Sequence, residues 1–262
     1  MKKFSKLIPA FCMLLISAML MGTSTFAWFS MNKTVTATGM TVTAKSNSTF
    51  LLINNDGKKG TEMTTNTAEI AAKAPASVEL YPVAFFKTVD DSTIMGKKKT
   101  AGGLEDFNLV TDGSVTTGSN KWITANNENY DNANQAIINV KEVKDTDTDF
   151  ANYVATYQVW LTLSKDSADI SKKVKATWNK TTGNEGLALR AVVKIGGEYL
   201  ELDALNDTKT MTANIALSSG TATEVTVYVY IDGNADNVNS KYFNENTGKL
   251  NGEIDIKFDL VD

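Results

Sequence analysis

The chain has 262 residues, no histidine and a single cysteine, and its 26 basic residues, all lysine except Arg190, face 30 acidic ones. The lack of histidine excludes His-based acid–base catalysis, Ser–His and Cys–His nucleophile pairs, and every His-ligated metal site. A lone cysteine excludes disulfide and thiolate-cluster frameworks, and an acidic chain with one arginine is a poor partner for nucleic acid.

In chain order, the N-terminus reads as an export signal. Lys2, Lys3 and Lys6 form a basic n-region, Leu7–Gly22 is apolar apart from Ser17, and Thr23-Ser24-Thr25-Phe26-Ala27 is a small-residue c-region. Thr25 and Ala27 suit cleavage between Ala27 and Trp28. The other reading is an uncleaved anchor, since Leu7–Phe29 is long enough to span about 30 Å of hydrocarbon as a helix. Cleavage leaves a cysteine-free chain with 23 basic and 30 acidic residues, net charge −7, expected to be secreted and to meet the membrane only through its signal.

From Trp28 onward the chain reads as strands. It holds 33 threonines and 24 asparagines, and Pro75 and Pro82 are the prolines beyond the signal. β-Branched threonine favours strands, and asparagine favours the turns between them. The runs are 34–44, 49–53, 78–88, 136–143, 153–163, 173–178, 187–195, 212–217, 224–231 and 252–260, separated by clusters such as Asn54-Asn55-Asp56-Gly57 and Gly196-Gly197. In the last run Ile254, Ile256, Phe258 and Leu260 alternate with Glu253, Asp255, Lys257 and Asp259, the pattern of a strand with one wet face. Thr67–Lys73 is the one stretch that reads as a short helix. Residues 97–118 and 126–134 read as insertions decorating a single domain over 46–262. Ten short strands without alternating helices predict an all-β, jelly-roll-like antiparallel β-sandwich with decorating loops and at most short helices.

Sites are few. Asp145, Asp147 and Asp149, like the Asp232-Gly-Asn-Ala-Asp236 run, place oxygen ligands at alternate positions as a Ca²⁺ loop does. Both lack the glycine and glutamate of an EF-hand, so a solvated turn is the reading preferred for each. Trp122 and Trp178 are candidates for stacking on sugars, with Trp160 more in keeping with a sheet. Acids are plentiful, yet no spacing picks out a hydrolytic pair, and no cofactor is implied. The segment from Trp28 to Ala44 is the informative one. It carries Trp28 and Phe29, then a nearly uncharged run through Val35, Ala37, Gly39, Met40 and Val42. Such a strand either pairs within its own domain or leaves to complete the sheet of a neighbour. A head-to-tail contact of that kind does not close, and it generates filaments.

Thr23-Ser-Thr-Phe-Ala-Trp-Phe-Ser30 followed by Val35-Thr-Ala-Thr-Gly-Met-Thr-Val42 resembles the exported TasA/camelysin-type matrix proteins of Gram-positive bacteria. Val225–Asp236 and Ile254–Phe258 are similar to the end of such proteins. The resemblance covers roughly twenty residues at the front and thirty-five at the back of the chain. It implies an atypical signal read by a dedicated signal peptidase, and a jelly-roll subunit that polymerises head to tail by donor-strand exchange into biofilm or surface fibres. The donor is residues 28–45, and an accessory nucleating or anchoring subunit is a further possible partner. The metallopeptidase activity described for some members does not fit a chain without His-Glu-x-x-His. A monomeric secreted adhesin or carbohydrate-binding sandwich is the alternative.

Overall fold

A computed structural model describes residues 36–37, 41–46, 51–64, 69–71, 78–89, 95–100, 103–108, 115–125, 130–131, 136–137, 140–182, 188–203, 207–235 and 253–262. Along the chain these form β1 (Thr36–Ala37), β2 (Thr41–Ser46), β3 (Leu51–Asn54), β4 (Glu69–Ala71), β5 (Val78–Glu79), β6 (Ala84–Val89), β7 (Met95–Thr100), β8 (Gly103–Asn108), β9 (Gly118–Ala125) and β10 (Tyr130–Asp131). There follow β11 (Ala136–Ile137), β12 (Val140–Val143), β13 (Val154–Leu163), β14 (Ile170–Thr182), β15 (Leu189–Ile195), β16 (Glu198–Leu202), β17 (Thr208–Thr210), β18 (Ile215–Leu217), β19 (Thr223–Ile231) and β20 (Glu253–Val261). The protein is an all-β sandwich, and its described helical turns are the 3-10 segments Gly60–Glu62 and Phe150–Asn152. Glu69–Ala71, inside the stretch expected to be helical, is strand β4, because pairing with β2 overrides the helix preference of that alanine-rich stretch.

Two compact units divide the chain. The larger comprises Thr34–Pro82, Asp145–Asp232 and Asn246–Asp262, and the smaller is described mainly within Val83–Lys144. Residues 46–262, expected as one domain, are thus shared between them, and much of what reads as decoration belongs to the smaller unit. That unit has its own three-stranded sheet, ordered β12-β9-β6, with Val89, Ile123 and Val140 packed against Phe86 and Val115. Phe85 and Trp122, directly paired across β6 and β9, tilt together at 4.8 Å between ring centres. Lys121 and Glu142 bridge β9 and β12 at 2.9 Å, both largely buried. The lysine run 97–99 lies in a β7–β8 hairpin, in register with Leu104, Glu105 and Asp106.

The larger unit stacks two sheets. One is ordered β16-β15-β19-β13-β3, the other β17-β14-β20-β2-β4, with β18 also on β14. The two most regularly alternating strands of the sequence, β19 and β20, are the centres of the two sheets. Val225, Val227, Val229 and Ile231 of the first are fully buried, as are Ile254, Ile256 and Phe258 of the second. Tyr157, Val159 and Leu161 of β13 and Ala191, Val193 and Ile195 of β15 extend this core. The opposite face of β20 is less wet than its alternation suggests. Asp259 is shared by Lys175 and Lys257 at 3.4 and 3.3 Å, while Asp255 is buried. The opposite face of β19 is also covered: the edge of Phe150 meets the Tyr228 ring, and the buried Tyr230 hydroxyl lies 3.4 Å from a Glu201 oxygen.

Candidate functional site

Strand β2 is the feature of the N-terminal segment that the fold puts to use. Threonine and valine alternate through Thr41-Val-Thr before Ala44, and no charge appears until Lys45, which suits an interior strand. It runs parallel to β20 from Thr41 opposite Glu253 to Ser46 opposite Phe258. On its other edge it is antiparallel to β4, with Thr43, Ala44 and Lys45 opposite Ala71, Ile70 and Glu69. Every other described strand pair in the protein is antiparallel.

The strand therefore sits in a slot with two walls. One wall is β20, whose Ile254, Ile256 and Phe258 belong to the core; the other is the short β4. Register partners in the first wall lie more than two hundred residues downstream, so no local turn holds β2 there. Ser46 closes β2 in one sheet, and Leu51 opens β3 in the facing sheet.

Of the residues expected in a donor strand, Val42 lies in β2 opposite Ile254, and Ala37 lies in β1 opposite Val78. Trp28, Phe29, Val35, Gly39 and Met40 lie outside the described residues, as does the Ala27–Trp28 junction. Sequence reasoning did not identify the slot. β4 reads as a helix, and the β20 alternation marks a core strand without naming its neighbour.

The other candidates do not form sites. Trp122 and Trp178 are 4% and 3% exposed, so neither ring offers a face to a sugar. Trp122 packs on Phe85. The half-buried Trp160 is capped by the Gly57 turn, where a Cβ would lie 3.6 Å from the indole. Asp145, Asp147 and Asp149 form the turn into the 3-10 segment. The carbonyls of Asp147 and Asp149 accept the Phe150 and Asn152 amides, and the Asp145 carboxylate lies 3.9 Å from Lys194. Among the described residues no three acids, histidines or cysteines gather as a metal site would.

Charge on the five-stranded sheet serves structure. Arg190 lies 3.5 Å from Asp232 and 4.0 Å from Asp203, and donates to the Leu189 carbonyl. Burial, aided by Glu201, holds the Tyr230 hydroxyl well above its ordinary range, and burial alone pushes that of Tyr157 up to about 12. No family model matches the sequence, and neither a curated protein nor a solved structure matches the chain.

Proposed function

We propose that the protein is a secreted, non-catalytic structural subunit that builds an extracellular fibre by donor-strand exchange, the mature N-terminal strand filling the β20/β4 slot of the next copy. One observation carries this reading: β2, the second described strand from the N-terminus, is interior to a sheet, held by its ladders to β20 and β4 rather than by a neighbouring hairpin. A strand of that kind is interchangeable between copies, because the same hydrogen bonds form whichever chain supplies it. The resemblance to TasA/camelysin-type proteins points the same way, and with it come a signal peptidase acting at Ala27–Trp28 and a place on the cell surface or in a matrix. Burial of Trp122 and Trp178 removes the residues on which carbohydrate binding rested.

Electron microscopy of the chain from Trp28, refolded at high concentration, beside a chain from Asn47 that lacks β2 and is treated alike, tests this. Filaments are expected from the first and none from the second. A synthetic peptide of residues 28–46 should bind the shortened chain and restore its thermal stability. Filaments that persist without β2 would overturn the proposal.

A further inference from the structure

Within the exchange reading, on which this inference rests, we infer that a subunit whose β2 occupies its own slot is the assembly-incompetent state, and that the choice between closing on itself and joining a neighbour is made during folding. The filler strand is among the first elements of the chain, and one wall of its slot, β20, is the last. The pairing of Thr41 with Glu253 is thus about as non-local as this chain allows, and such contacts form late because loop closure must come first. Until β20 is in place β2 has no partner there, and a second copy of the same segment is chemically equivalent to it.

Once docked, β2 is held on both edges, by a six-residue ladder to β20 and a three-residue ladder to β4. Leaving breaks both ladders at once and exposes two unpaired strand edges, so a closed subunit reopens slowly. In the competition itself the tethered strand acts at an effective concentration on the order of millimolar. Dilute subunits therefore close on themselves. Polymer arises where subunits fold at comparable local concentration, as at a surface that exports them or at a fibre end with an open slot.

The mature chain lacks cysteine, so a pair placed across the ladder reports which copy supplied the strand. Lys45→Cys with Lys257→Cys, which are register partners, is the first choice. Thr41→Cys with Glu253→Cys, at the start of the ladder, repeats the measurement should the first pair not fold. The chain from Trp28 carrying the pair is unfolded, refolded across a series from micromolar to millimolar, oxidised, and run on a non-reducing gel. At the dilute end a monomer band with an internal disulfide is expected. The share of intermolecular ladder should rise at least tenfold across the series, and monomer oxidised before concentration should form no filaments. A ladder share independent of concentration, or filaments from pre-oxidised monomer, would sink the inference while leaving exchange standing. Absence of filaments from the parent chain throughout the series would remove the exchange reading and this inference with it.

Discussion

Thr162 shows how much one side chain can hold. Its hydroxyl is fully buried, accepts the Gly60 amide at 2.9 Å, and has its proton within reach of the Thr221 and Ser218 carbonyls at 2.7 and 3.1 Å. Gly60 is obligatory beside it, since a Cβ there would fall 1.7 Å from the Leu163 carbonyl oxygen. Thr162→Val keeps the volume but strands the buried Gly60 amide, worth about 1–3 kcal/mol. Its urea midpoint should drop by the equivalent of that amount, while Thr162→Ser, which keeps the hydroxyl, should lose only about 1 kcal/mol. A Val variant as stable as the parent, beside a destabilised Ser variant, would show that the methyl matters and the hydroxyl does not. None of this was legible in Tyr157-Gln-Val-Trp-Leu-Thr-Leu163, which announces a strand and its faces but not that the polar Thr162 ends in a buried knot with partners far along the chain. The tryptophans failed for a related reason: an aromatic at a strand position reads alike whether its outer face is covered or open, and only the fold decides.

At the scale of elements, the Gly196-Gly197 turn was readable because its chemistry is local. Ile195 pairs with Glu198, leaving a two-residue loop in which both glycines have positive φ, +57° and +85°, as a type I′ hairpin turn requires. The two positions differ in their surroundings. A Cβ on Gly196 would meet Ile215 at 2.8 Å and Met211 at 3.1 Å, whereas one on Gly197 would meet nothing within 4 Å. Gly197→Ala should therefore cost only the backbone penalty, about 1–2 kcal/mol, and Gly196→Ala clearly more; thermal melts of the two variants compare them directly. The alternating runs of β13, β15, β19 and β20 were legible through the same period-2 logic. β4, three residues long, was not. It lies in an alanine-rich stretch that carries a helical preference, and what makes it a strand is an edge of β2 that sequence periodicity does not reveal. The parallel direction of β2 is equally silent in sequence, because parallel and antiparallel strands share one side-chain period.

For the whole molecule, alkali is the revealing condition. Tyr157 is pushed up to about 12 by burial, and burial raises Tyr228 and Tyr230 in the same direction. An unfolded tyrosine ionises near 10, so above that pH the native state holds protons that the unfolded state has released. Stability should then fall as pH rises between about 10 and 12, by about 1.4 kcal/mol per pH unit for each fully protected tyrosine. Urea midpoints at successive pH values should show this slope, and Tyr157→Phe should flatten it; an unchanged slope would mean that this tyrosine ionises in the native state. The sandwich class was legible because composition and turn spacing bound it. The second unit was not, since its core of Val89, Ile123 and Val140 draws on strands far apart in sequence and no linker marks its borders. One consequence of the parallel β2–β20 ladder concerns force. Because β2 and β20 point the same way, the chain enters this sheet at one pole and leaves it at the other. Tension applied between those ends acts along the strands, so the rungs joining them are sheared together rather than peeled open one after another, and the unit resists stretching along the axis on which a chain of such units would be pulled.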